Sequence, residues 1–363
     1  MNPLESELDY VLGDTLPESG RCVDVAPGVR WLRMGLPFAL NHINLWLLED
    51  RLPNAQDELV QGWTIVDCGI SNAATRSAWE QLFAEELRGL PVLRVIATHC
   101  HPDHVGLSNW LCEKWNAPFY MSAGEYAFAR MMSAGLPGAD GPASLPHFQR
   151  NGLTDPDLIT ELSARDSYYP TLVPAVPHSF IRLQDGKTLS INGQNWDLIS
   201  GFGHSPEHIA LYRADDHVLI SGDMVLPRIS TNVSVFAIEP DFDAVGAFLE
   251  SLNKFLSLPT HTLVLPSHGK PFRGLHTRIQ QLYTHHQERL NEVMTACKTP
   301  QSAADIVPVM FPRKLDVHQL TFALGEALAH LHHLWAKGKL TRKLSEDGIQ
   351  KFVSVDSTRQ KSL

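Results

Sequence analysis

The chain is 363 residues long, 44% apolar and 19% charged, with a formal net charge of −10. That balance excludes a disordered chain, gives no electrostatic reason to expect a polyanionic partner, and fits one large domain plus a small one. No apolar run approaches the ~18 residues of a membrane span, and Met1 to Tyr10 lack a basic segment followed by an apolar one, so a soluble, cytoplasmic protein is expected.

Residues 21–25 and 29–34 read as short strands, with another over 43–48 after a proline-containing turn. A strand over 62–69 ends in Asp67-Cys68-Gly69. That carboxylate can support a ligand histidine, or it is an ordinary turn residue before glycine. The spacing of Ala74, Trp79, Leu82, Phe83 and Leu87 predicts a helix over 73–87, and Gly89-Leu90-Pro91 leads into the β-branched run Val95-Ile96-Ala97. The run stops at Thr98-His99-Cys100-His101-Pro102-Asp103-His104. Three histidines and a carboxylate packed together at a strand end are the donor types and the placement of a metal site, zinc or iron first. In an extended segment His99 and His101 point the same way and can reach one ion, while Cys100 points away. Asp103 and His104, on a turn begun by Pro102, can serve a second ion.

A helix over 107–115 and a short strand over 118–121 continue the alternation of a layered α/β fold. Between 122 and 177 the pattern loosens. The turn-rich break at 135–142 and the polar, helix-like stretch before Tyr168 predict a lid-like insertion. Strands return at 188–191, 196–199, 209–212 and 218–220. Asp241 to Leu256 is amphipathic, with Phe242, Val245, Phe248, Leu249, Leu252 and Phe255 on one face. The strand over 262–266 ends in Ser267-His268-Gly269. His204, in Gly203-His204-Ser205-Pro206-Glu207-His208, and Asp223, in Ser221-Gly222-Asp223, likewise follow strands or glycine turns that display a side chain at a sheet rim. Beyond about residue 273 helices are predicted over 277–297, 302–310 and 319–337, then a hairpin pairing 338–344 with 349–355, the pattern of a winged helix. His330, His332 and His333 cannot converge on one ion from adjacent helix positions and are expected to be surface or packing residues. The five cysteines, 22, 68, 100, 112 and 297, form no C-x-x-C pair and read as reduced thiols.

Together the Asp67 strand, the His99-x-His101-x-Asp103-His104 cluster, Gly203-His204-Ser205-Pro206-Glu207-His208, Ser221-Gly222-Asp223 and Pro266-Ser267-His268-Gly269 resemble, in this order over about residues 20–275, the metallo-β-lactamase superfamily, and most closely its glyoxalase II-like branch. The resemblance implies an α/β, four-layer αββα sandwich as a catalytic domain over 1–275, carrying the insertion at 122–177, and a small winged-helix-like domain over 276–363. It implies two divalent metal ions, zinc first and iron or manganese as alternatives. His99, His101 and His204 would bind the first, Asp103, His104 and His268 the second, and Asp223 would bridge them. Asp103 and Asp223 are the catalytic candidates. His208 matches no ligand position and is expected to brace its loop.

The activity implied is hydrolysis of a small-molecule thioester, ester or lactone by a metal-bridging hydroxide. No basic counterpart of a glutathione-carboxylate grip is identifiable. The alternative is an endonuclease or phosphodiesterase acting on RNA or single-stranded DNA, docked through Lys337, Lys339, Arg342 and Lys343, although a charged hairpin is more often a solvated face. A homodimer through the C-terminal domain, with the apolar helix 319–334 at the interface, is the other partner expectation.

Overall fold

The computed structural model describes residues 3–54, 56–136, 141–164 and 167–355. In chain order the strands are β1 Val23–Ala26, β2 Val29–Gly35, β3 His42–Pro53, β4 Leu59–Val66, β5 Val92–Ile96, β6 Phe119–Met121, β7 Ile181–Arg182, β8 Thr188–Ile191, β9 Gln194–Gly201, β10 His208–Arg213, β11 Val218–Gly222, β12 Leu263–Pro266, β13 Leu340–Leu344 and β14 Gln350–Ser354. The helices are α1 Ala73–Glu85, α2 Pro102–Val105, α3 Ser108–Trp115, α4 Ala123–Ser133, α5 Leu145–Arg150, α6 Pro156–Ser163, α7 Tyr169–Leu172, α8 Ala244–Phe255, α9 Leu275–Ala296, α10 Ala303–Met310 and α11 Val317–Ala336. Two compact units result. One comprises Met1–Gly135, Tyr169–Thr231 and Ser251–Ile279, the other Leu136–Tyr168, Asn232–Glu250 and Gln280–Leu363.

The first unit holds a seven-stranded sheet in the order β1 to β7 and a five-stranded sheet in the order β12-β11-β10-β9-β8. β1 to β4 pair antiparallel and β4 to β7 parallel, while β11 and β12 form the one parallel pair of the second sheet. Trp31, Trp46, Leu48, Val66 and Ile96 of one sheet and Trp196, Leu198, Ile209, Leu211, Ile220 and Leu265 of the other form a single apolar cluster, which makes the pair a sandwich. Ile43 to Leu48 of β3 are buried on both faces. Trp46 and Leu48 enter the sandwich, and their neighbours Leu45 and Leu47 point to the opposite face because side chains alternate along a strand. Helix α1, capped by Asn72 accepting the Thr75 N–H at 2.7 Å, lies against the first sheet, its Trp79 indole donating to the Cys68 carbonyl. On the second sheet, Lys254 of α8 pairs with Asp185 and donates to the Ser200 carbonyl. The α/β sandwich expected from sequence is therefore what forms.

A buried ion pair fastens the sheets together. The Arg94 guanidinium meets Asp50 bidentately, Nε to Oδ2 at 2.8 Å and Nη2 to Oδ1 at 2.9 Å, and also donates to the Ser190 carbonyl. Asp50 further accepts from the Thr64 hydroxyl and the Asn192 N–H.

In the second unit, capping boxes start α10 at Ser302 and α11 at Asp316, and β13 and β14 pair antiparallel from Leu340↔Ser354 to Leu344↔Gln350. Ala323 to Leu334 of α11 is buried almost throughout, while residues 319–322 of the same apolar run are half-buried. His330, His332 and His333 are buried too: His330 Nδ1 donates to the Glu326 carbonyl, and His333 pairs with Asp243 at 3.0 Å.

Two features differ from the sequence reading. The stretch 122–177 is not a single insertion: α4 and α7 belong to the sandwich unit, while 136–168, like 232–250, belongs to the helical unit, so residue 275 is no simple boundary. Its loosened pattern reflects short helices with few buried apolar residues, two in α4 and one in α6. Part of the expected turn-rich break, 137–140, lies outside the described residues. Asp103 and His104 lie on the one-turn helix α2 instead of a turn, with Pro102 at its first position, where a missing N–H is harmless.

Candidate metal centre

Because β4 and β5 run parallel, as do β11 and β12, the carboxyl ends of each pair open at one edge, where α/β sheets place their ligands. β5 leads into His99 and His101, β11 into Asp223 and β12 into His268. Asp67, at the end of β4, sits in the left-handed region at φ 66°, a conformation that short polar side chains tolerate by bonding locally. Its Oδ1 accepts the Thr98 N–H at 2.8 Å and its Oδ2 faces His104 Nδ1 at 2.8 Å. That bond places the proton of His104 on Nδ1 and leaves Nε2 to face Asp103 and Asp223, both at 3.7 Å. His268 is held likewise: Nδ1 donates to the His42 carbonyl at 2.7 Å, and Nε2 lies 3.4 Å from Asp103 and 3.5 Å from Asp223 Oδ1.

On the other side, His99 Nε2 lies 2.9 Å from His101 Nδ1 and 3.2 Å from His204 Nε2, and His204 Nε2 is 3.4 Å from Asp223 Oδ2. The seven residues thus form two groups, His99, His101, His204 and Asp223 in one and Asp103, His104 and His268 in the other, with ligand atoms within 4.8 Å of one another in each. Asp223 turns one oxygen to each group. Its own N–H donates to His208 Nε2 at 3.1 Å, so His208 braces the Asp223 turn and belongs to neither group. Gly222 is required there: φ is +53°, and a Cβ would come within 2.1 Å of the His208 ring.

The electrostatics suit cations. Burial, reinforced by the neighbouring imidazoles, holds His99 and His101 well below the usual histidine range, leaving them neutral with lone pairs to offer. Burial also opposes charge on His104, but the Asp67, Asp103 and Asp223 carboxylates outweigh it and lift the imidazole to about 10, so ligation there displaces a proton. Burial would raise Asp223, yet His268 and His104 hold it well below the carboxylate range. His104 Nε2 and Asp223 Oδ1 are buried without any hydrogen-bond partner, a penalty that a shared cation removes. The residues present therefore fit a pair of divalent cations.

Sequence reasoning missed Glu125. Buried on α4, it accepts the Cys100 N–H at 2.8 Å, the Ser205 hydroxyl at 2.6 Å and the Glu207 N–H at 2.6 Å. The available signal was Ser122-x-x-Glu125, the spacing of a capping box. Ser122 does cap α4 by accepting the Glu125 N–H, while the carboxylate turns away to these loops. Cys100 faces Glu125 and contributes nothing to either group, as its alternation from His99 and His101 implied.

Replacing Asp67 with alanine removes the orientation of His104 but no ligand atom. The expected result is a loss of roughly 10- to 100-fold in metal affinity, with stoichiometry unchanged at saturation. Competition against a chelating dye measures it, and wild-type affinity in the variant would contradict this role.

The sequence matches a family model described as "Metallo-beta-lactamase superfamily" over residues 59–268, and one described as "Metallo-beta-lactamase-like, C-terminal domain" over residues 290–355. A beta-lactamase domain protein from Burkholderia ambifaria, known from its crystal structure, is 54% identical, with 98% of this chain and 100% of that chain covered and a TM-score of 0.91. A metallo-beta-lactamase family protein from Thermus thermophilus is 27% identical, with 92% and 100% covered and a TM-score of 0.72. The Bacillus subtilis (strain 168) protein named "Probable metallo-hydrolase YqjP" is 23% identical over 332 residues, 85% of this chain and 93% of that one.

Proposed function

The chain belongs to the metallo-beta-lactamase superfamily, and from that premise we propose that it is a binuclear metal-dependent hydrolase of thioesters, esters or lactones of small carboxylic acids, close in chemistry to the glyoxalase II-like branch. The observation that carries the two-ion reading is Asp223, whose two oxygens face two separate ligand groups. His99, His101 and His204 would hold one ion and Asp103, His104 and His268 the other. Imidazole and carboxylate donors suit zinc, with iron and manganese next. Bound there, the ions supply Lewis acidity that acidifies water and polarises a substrate carbonyl.

The chain's own part is to fix the donors. Asp67 and the His42 carbonyl set the tautomers of His104 and His268, and the Asp223 carboxylate offsets cationic charge on both sides. A cytoplasmic location accompanies the proposal. The five cysteines are free thiols, in keeping with a reducing compartment, and among the described residues no helix is long and apolar enough to cross a membrane.

A small molecule is favoured over nucleic acid. The net charge is −10, and Arg342, central to the basic hairpin, is engaged by Asp241 and stacked over Trp335 at 3.9 Å. The test is a panel of acyl-glutathione thioesters, aliphatic esters and lactones, with bis(p-nitrophenyl) phosphate and single-stranded RNA as the phosphodiester arm. Metal-loaded protein should turn over at least one carboxylic acid derivative and lose that activity with a chelator. Activity confined to the phosphodiester arm would overturn the substrate class in favour of the nuclease alternative.

A further inference from the structure

The ligands of the His99 group come from two loops far apart in sequence. His99 and His101 follow β5, and His204 lies between β9 and β10. The nitrogens of His99 and His204 nonetheless sit 3.2 Å apart, a spacing that small loop movements would destroy. Besides the imidazoles themselves, the Glu125 side chain reaches both loops. Glu125 is fully buried, and its Oε2 accepts the N–H of Cys100, the residue between His99 and His101. Its Oε1 accepts the hydroxyl of Ser205, next to His204, and the N–H of Glu207.

All three partners donate, so the acceptor oxygens of the carboxylate satisfy each of them, at 2.6–2.8 Å. α4 carries Glu125 on a capped, packed helix, which gives the clasp a fixed base. The Asp103, His104 and His268 group is held by other means. Asp67 fixes the His104 ring, the Cys68 N–H donates to the His104 carbonyl, and the His42 carbonyl fixes His268.

We propose that Glu125 is a positioning residue for one half of the metal site: it clasps the His99–His101 loop to the His204 loop and so sets the spacing of those three imidazoles, leaving the other group to its own braces. The inference rests on the two-ion reading above and adds a selectivity which that reading does not contain.

The test places Glu125→Gln in two backgrounds. His268→Ala weakens the second group and leaves the first intact. His101→Ala with His204→Ala weakens the first and leaves the second. Glutamine keeps the size of the side chain but must turn an amide NH₂ toward one of three donors, so at least one clasp is lost. Zinc is titrated into each metal-free protein against a chelating dye. Glu125→Gln weakens the tight ion by roughly 10- to 100-fold in the first background, the usual range for a group that orients ligands, and leaves it unchanged in the second. Ser205→Ala, which removes a single donor and leaves Glu125 itself in place, gives a smaller loss in the same background. Equal losses in both backgrounds, as a purely structural carboxylate would give, or no loss in either, would overturn it. A parent chain that takes up no zinc at all would overturn the metal-site reading itself, and this inference with it.

Discussion

Asp223→Ala should abolish turnover. The residue offers Oδ2 to the His204 side and Oδ1 to the His104 and His268 side, so alanine removes one donor from each group at once. It also removes the buried negative charge that moderates repulsion between two cations in a poorly solvated site. The loss should exceed the ~10²- to 10³-fold that removing one transition-state contact brings, because the frame for both ions goes with it. His104 Nε2, already without a hydrogen-bond partner, would face a cavity in place of a carboxylate oxygen. The measurements are kcat/KM on whichever substrate the panel identifies and metal content per chain. A variant that kept two ions and full activity would show that Asp223 bridges nothing.

Asp50→Ala should bring the largest loss of stability. Arg94 is 3% exposed and its carboxylate partner is wholly buried, so removing Asp50 strands a guanidinium in the core, with the Thr64 hydroxyl and the Asn192 N–H also losing their acceptor. Breaking such a pair from one side costs about 3–5 kcal/mol, most of it the penalty of an uncompensated buried charge. Urea unfolding should show a lower midpoint with an unchanged slope. The double variant Asp50→Leu with Arg94→Met, which removes both charges, should recover much of the loss. A single variant within ~0.5 kcal/mol of wild type, the range of an ordinary surface substitution, would contradict this account.

Most of the site was legible because its residues stand where strands stop. His99, His101, Asp103, His104, Asp223 and His268 each follow an apolar run, and a period of two fixes which side chains share a face. The structure brings all of them, with His204, into the two groups. The strands of the sandwich and the C-terminal helices were legible for the same reason: long periodic segments such as α9 and α11 declare themselves through buried spacing.

What stayed hidden depended on long-range contact. Glu125 lies where the sequence pattern loosens, and its contacts exist only because two distant loops meet over it. The Asp50–Arg94 pair is similar, each partner an ordinary charge until the sheet brings them together across 44 positions. The division of the chain into units was illegible because segments distant in sequence, 136–168 and 232–250, join the helical one.

On the reading proposed above, this chain holds two ions in two groups joined by Asp223. Elemental analysis of the purified protein, repeated after metal-free preparation and zinc reloading, tests it most directly. Two tightly held ions per chain are expected in the reloaded protein, falling to one in His268→Ala. A wild-type chain that saturates at a single ion, or takes up none, would contradict it.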